Sequence, residues 1–279
     1  MATVGFVGLG NIGKPMALRL AQAEGVDLTV YDVSPEPLAD LAAAGATVAS
    51  SVGELARDAS VVCVMVRDDE QVREVLAQLA GSASEGAVVV VHSTVAPHTP
   101  EHLAETARTH GLRLVDAPVS GGAMGAAEGT LAILVGGDDD AVDAARPVLE
   151  AMGSKVVHAG PIGAGTAMKL ARNLLHFVAF TAATEAQRLA EAAGLDVKAL
   201  GDVVRHTDAI TGGPGAIMHR TTTAPLEPDD FWHGIFTHVR ALGEKDLAFA
   251  TGLADELGVE VPLARLALER LGSGLGLEE

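Results

Sequence analysis

Cysteine is almost absent from this chain of 279 residues: Cys63 stands alone, so no internal disulfide can form. It lies in the apolar run SVVCVMV (60–66) and reads as a buried strand residue in a reducing compartment. Basic charge is also scarce. Nineteen Lys and Arg stand against 37 Asp and Glu, for a net charge of −18 and a pI near 4.8. Nucleic acids and anionic membrane surfaces select basic proteins, so neither is an expected partner. Long hydrophobic runs are missing too: no stretch approaches the roughly 18 uninterrupted apolar residues of a membrane span. The opening MATVGFVGLG has neither a basic segment nor a signal-like apolar core, so a cytoplasmic location is expected. Low-complexity segments and internal repeats are lacking, and no metal is expected.

What is present is a switch of pattern partway along. Short β-branched runs at 3–8, 27–32, 60–66, 87–92, 112–119, 130–137 and 155–160, with a shorter one near 46–49, alternate with helical patterns. Fully apolar strands separated by helices predict an α/β fold with a mostly parallel sheet covered on both faces. After Gly160 no strand pattern recurs. A helix is predicted from about Gly163 to Ala193, with Gly194 as its stop, followed by helices near 196–206, 237–257 and 262–272. The stretch 208–235 reads as loops with short helix. Two domains follow: 1–160, of dinucleotide-binding type, and 161–279, all-helical.

The first strand runs directly into GFVGLGNIGKPMALRL, which holds Gly8-x-Gly10-x-x-Gly13. A strand before and a helix after give this spacing its meaning. Gly8 allows the tight turn, Gly10 lets the backbone approach a diphosphate, and Gly13 lets the helix pack on the strand. Gly8, Leu9, Gly10, Asn11, Ile12 and Gly13 would cradle that diphosphate at the positive helix end. Asp32 closes the second strand 19 residues after Gly13. A carboxylate there suits the two ribose hydroxyls of NAD. It would repel the 2′-phosphate of NADP by roughly 1–4 kcal/mol at close range. NAD is therefore favoured over NADP.

Two further stretches carry chemistry. Ser120, Gly121 and Gly122 follow a strand and open a helix in DAPVSGGAMGAAEGTL, a turn suited to a carboxylate, although a plain strand–helix turn would look the same. In KLARNLLH, Lys169 sets a reference direction at about 100° per residue. Asn173 then lies near +40°, His176 near −20° and Arg172 near −60°, so all share one helix face. An alcohol oxidation needs a proton acceptor. A lysine titrates near 10.4 in water, and a low-dielectric cleft would bring it into a useful range.

These motifs together resemble the β-hydroxyacid dehydrogenase family, which includes 3-hydroxyisobutyrate dehydrogenases and tartronate semialdehyde reductases. The N-terminal glycine motif, HSTVAP (92–97), DAPVSGGAMGAAEGTL (116–131), GAGTAMKLARN (163–173) and KDLAFA (245–250) occur in the family's order over nearly the whole chain. The resemblance implies a Rossmann-type domain joined to a helical domain by a long helix. It implies Lys169 as acid/base, Asn173 as a substrate holder, and Ser120, Gly121 and Gly122 at the substrate carboxylate. Thr94 and Lys245 would lie near the nicotinamide, and Met65, Val66 and Arg67 beside the cofactor. A homodimer or homotetramer is likewise implied.

Departures from the family pattern bear on substrate. Arg172 replaces a usual Asn, His176 a usual apolar residue, His238 a frequent Phe, and Arg67 the last residue of a common M-L-P. Arg172 and His176 could recognise a second polar group on the substrate, or could be structural. Trp232 and Phe236 could line the pocket or a subunit contact. The resemblance implies an NAD-dependent oxidation of a small 3-hydroxyacid. Alternatives are reduction of small semialdehydes (tartronate or succinic semialdehyde, glyoxylate) and, more distantly, a non-catalytic dinucleotide-binding module. Imine reductases share the architecture but usually lack the lysine.

Overall fold

In the computed structural model, which describes residues 2–277, the valine-rich runs form strands covered on both faces. β1 (Ala2–Val7), β2 (Val26–Tyr31), β3 (Thr47–Val48), β4 (Val61–Val64), β5 (Val88–Val91) and β6 (Arg113–Asp116) lie in the order β3-β2-β1-β4-β5-β6, all parallel. Their crossovers are α1 (Gly13–Ala21), α2 (Glu36–Ala43), α3 (Val52–Ala56), α4 (Asp69–Ala80) and α5 (Thr99–Thr109). The chain then adds β7 (Val119–Ser120), α6 (Gly122–Glu128), β8 (Ala132–Gly136), α7 (Asp139–Met152) and β9 (Lys155–Gly160). β8 runs antiparallel to β6 and β7, and β9 runs parallel to β8.

Side-chain alternation feeds two cores. Val61, Cys63, Val88 and Val90 join Met16 and Leu20 of α1 and Leu149 and Met152 of α7. Val62, Val64, Val89 and Val91 join Leu76 and Leu79 of α4 and Leu103 of α5. Burying each such side chain contributes about 1.5–3 kcal/mol. Helices on both faces bury every position of β4 and β5, which is why these two runs carry no polar alternation. Cys63 is the buried strand residue its surroundings predict, and burial pushes its thiol pKa up. The run 112–119, read as one strand, is two. It breaks at Ala117–Pro118, where proline has no N–H to donate to a neighbouring strand.

The chain divides into two compact units, Met1–Arg172 and Asn173–Glu279. The division falls inside α8 (Ala164–Ala192), a helix of 29 residues. α8 stops at Gly194, whose φ of 75° lets the Leu195 amide return to the Ala190 carbonyl at 2.9 Å. The second unit also holds α9 (Val197–Thr211), α10 (Phe231–Leu257) and α11 (Pro262–Gly274), with no strand among its described residues. The predicted loop at 208–235 is too long. α9 continues to Thr211, stopped by left-handed Gly212, and α10 begins at Phe231. The missed start is an N-cap: Asp230 accepts the Trp232 amide at 2.8 Å. Trp232 and Phe236 are therefore helical, not in a loop. Phe236 is buried with Leu226, Leu275 and Leu277, and Trp232 packs against that cluster. Buried Glu185 accepts the Leu263 and Ala264 amides at 2.8 and 3.0 Å, seating α11 by its N-terminus on α8.

Candidate active site

The loop from β1 to α1 is shaped by its glycines. A Cβ on Gly8, at φ 96°, would lie 2.2 Å from the Met65 carbonyl oxygen, and one on Gly13 would lie 2.1 Å from the Gly8 carbonyl oxygen. At Gly10 it would meet nothing within 4 Å, so the backbone there faces open space that a ligand can approach. α1 has no side-chain cap and no acidic residue in its first turn. Its positive end is left to an external anion.

Asp32 sits just past β2 and is half-buried. Its carboxylate accepts the Leu9 amide at 2.5 Å and the Ser34 amide at 2.7 Å. It therefore holds the glycine loop in addition to facing the cavity beside it. That cavity, about 300 Å³, is lined by Gly8, Gly10, Asp32, Met65, Val66 and Arg67 among others. A second recess brings Asn11 and Ser34 together with Lys14, which pairs with Asp40. A loop with room for a diphosphate and a carboxylate at the far edge of an apolar slot fit an adenine dinucleotide. They lie where the strand order reverses between β1 and β4, the crevice such sheets use for ligands.

Thr94 of the HSTVAP motif is exposed, whereas its neighbour Ser93, which the sequence does not single out, faces inward. Ser93 is buried. Its hydroxyl donates to the Val66 carbonyl at 2.8 Å and accepts the Val66 amide at 2.9 Å. One side chain thus fixes the Met65–Arg67 segment along the cavity. The signal was in the quoted HSTVAP, as a hydroxyl at a strand end next to a loop with no ladder partner. Arg67 itself is exposed, with its guanidinium 3.1 Å from Asp68. His92, also buried, bonds the Ala117 carbonyl through Nδ1 at 2.8 Å, and burial lowers its pKa to about 4.

Gly121 and Gly122 have φ of 133° and 64°, conformations that other residues reach only under strain. Both are exposed at the start of α6, beside half-buried Ser120. Lys169, six residues into α8, is 9% exposed. Burial lowers its pKa below the usual lysine value, and the like charge of Arg172 lowers it further. Asn173 is half-buried and shares the Lys169 face of the helix. The His176 ring lies 4.2 Å from Phe180 and 5.2 Å from Phe177. Lys245 and His238 are on α10, Lys245 with its ammonium 3.2 Å from Asp246 and His238 exposed.

A parallel sheet of this order with this glycine loop defines a dinucleotide-binding protein of Rossmann type. Residues 3–160 match the NAD binding domain of 6-phosphogluconate dehydrogenase. Residues 163–275 match the family domain described as NAD-binding of NADP-dependent 3-hydroxyisobutyrate dehydrogenase. The chain belongs to the β-hydroxyacid dehydrogenase family. It is 51% identical to an uncharacterized oxidoreductase of Mycobacterium tuberculosis, over 98% of this chain and 93% of that one. It is 36% identical to an NAD-dependent L-serine dehydrogenase of Pseudomonas aeruginosa, over 96% and 90%. A solved structure of M. tuberculosis 3-hydroxyisobutyrate dehydrogenase with L-serine superposes with a TM-score of 0.70 at 34% identity, covering 100% of this chain and 96% of that one.

Proposed function

We propose that the protein is an NAD-dependent dehydrogenase of small 3-hydroxyacids, with Lys169 as general acid/base. The observation that carries the reading is Lys169 itself. It is a nearly buried amine with a lowered pKa, placed on α8 within the family's catalytic segment. In this reading residues 1–160 bind the dinucleotide, and 161–279 contribute substrate contacts and self-association.

The substrate carboxylate binds the turn Ser120-Gly121-Gly122, whose glycines leave the backbone N–H groups unshielded. Asn173, one turn beyond Lys169, hydrogen-bonds the substrate. NAD, when bound, supplies the hydride acceptor. Neutral Lys169 Nζ takes the hydroxyl proton as the C–H hydride leaves and the C=O bond forms; in reduction the ammonium returns that proton. The carboxylate anchor fixes the carbinol carbon, since hydride transfer depends on distance. The family resemblance assigns Thr94 and, separately, Lys245 to the nicotinamide half, and Met65, Val66 and Arg67 line the cavity beside the glycine loop. Asp32 selects NAD by accepting ribose hydroxyls and repelling a 2′-phosphate.

L-Serine and 3-hydroxyisobutyrate, named with the relatives, are both 3-hydroxyacids, and we place the substrate in that class. Arg172 and His176 replace less polar family residues beside Lys169 and favour a substrate with a second polar group, as L-serine has. The exposed apolar side chains Phe177, Phe180, Ile210, Phe231 and Phe249 of the helical unit support a homodimer or homotetramer. A cytoplasmic location suits the single reduced thiol.

The test is NADH formation across a panel of hydroxyacids that includes L-serine and 3-hydroxyisobutyrate, for wild type and Lys169→Ala. Turnover of a 3-hydroxyacid by wild type, its loss in the variant and unchanged NADH binding are expected. Undiminished turnover by Lys169→Ala would remove the mechanism.

A further inference from the structure

Asp116 ends β6 and is 1% exposed, a carboxylate in the interior of the sheet domain. It lies four residues before Ser120. Its Oδ1 accepts the Gly163 amide at 2.7 Å and its Oδ2 accepts the Thr166 amide at 2.6 Å. Those two donors belong to the entry and first turn of α8, the helix that carries Lys169. A buried anion is costly unless its oxygens are hydrogen-bonded, and here each oxygen has a backbone donor at a positive helix end.

The surrounding backbone is shaped to let that helix end come close. β6 meets β8 at the single pair Asp116 and Gly136. A Cβ on Gly136 would lie 2.4 Å from Asp116 Oδ1. One on Gly165 would lie 2.2 Å from the Leu134 carbonyl oxygen and 2.8 Å from the Asp116 carbonyl oxygen. Gly163 enters the helix at φ 88°. Both glycines of the segment GAGTAMK therefore serve the seat of α8 on the sheet.

We propose that Asp116 is the positioning residue for Lys169. By holding the amide of Gly163 at the entry and that of Thr166 in the first turn, it sets the rotation and height of α8 on the sheet. Lys169 follows Thr166 by three residues, about 4.5 Å along the axis. Slippage by one residue turns a helical side chain by about 100°, which would carry the amine off its face. Asp116 ends β6 and the Ser120-Gly121-Gly122 turn begins at the end of β7, only four residues on, so carboxylate anchor and amine are referenced to one short stretch of chain. The inference rests on the proposed role of Lys169.

Asp116→Asn tests it: the shape is kept, but one oxygen becomes an NH₂ that opposes a backbone N–H. The assay uses whichever of L-serine and 3-hydroxyisobutyrate wild type turns over faster. A fall in kcat of tenfold or more is expected, with a larger solvent isotope effect on kcat, while the KM for NAD and the Kd for NADH stay within twofold. Asp116→Ser, which leaves a smaller acceptor and room for water, should show the same split if the first variant does not fold. A folded variant with wild-type kcat and isotope effect would overturn the proposal. So would a matching loss of NADH affinity, or failure of both variants to fold, since either would make Asp116 a residue of general stability. An active Lys169→Ala sinks the functional reading instead; an inactive one beside a wild-type-like Asp116→Asn sinks only this inference.

Discussion

Asp32 and Leu9 are joined across the first crossover: the Asp32 carboxylate accepts the Leu9 amide at 2.5 Å. The side chain proposed to read the ribose also holds the loop proposed to hold the diphosphate. Asp32→Asn keeps much of that geometry but removes the charge. The ratio of kcat/KM for NAD over NADP is expected to fall at least about fivefold, in line with a repulsion of roughly 1–4 kcal/mol. An unchanged ratio would show that cofactor choice lies elsewhere.

Oxidation requires the neutral form of Lys169. The lowered pKa, caused first by burial and then by Arg172, predicts that kcat for oxidation rises with pH and levels off below the ordinary lysine range. Reduction requires the ammonium and should fall over the same interval. Arg172→Ala removes the like charge, so the rising limb should move to higher pH. If Arg172 also binds a second anionic group, the variant will lose more activity on dianionic than on monoanionic hydroxyacids; equal losses would count against that contact.

The same shift has a stability consequence. The pKa of Lys169 is lower folded than unfolded, so burying the ammonium opposes folding most strongly below the folded value. That opposition fades as pH climbs towards the unfolded value. Lys169→Met should therefore raise Tm at pH 7 while abolishing turnover. A lower Tm would mean that the ammonium is held by a favourable partner.

Ser93 makes both of its hydrogen bonds to Val66. Ser93→Ala leaves the backbone of Val66 without those partners at the wall of the cavity. A loss of about 1–3 kcal/mol in urea unfolding is expected, with a several-fold rise in KM for NAD. Stability lost with an unchanged KM would separate this clamp from cofactor binding.

Much of the sheet domain could be read directly. Valine runs, glycine spacing and Asp32 each act over short distances along the chain, and the structure has the parallel strands they imply. The helical half was less legible at its boundaries: Asp230 and Gly212 set the ends of α10 and α9, and neither interrupts a hydrophobic period. At the site, Ser93 and Asp116 went unread because their partners, Val66 and the first turn of α8, lie 27 to 50 residues away. An acidic residue closing an otherwise buried strand was the visible trace of Asp116.

Residue order alone carries the α/β class, the dinucleotide loop and the shared helix face of Lys169, Arg172, Asn173 and His176, because periodicity and turn chemistry are local. Which buried groups hold those pieces in register emerges only in the folded chain. Hydrogen bonds made by Asp32, Ser93 and Asp116 join residues that chain order keeps apart, and no local period marks such pairs.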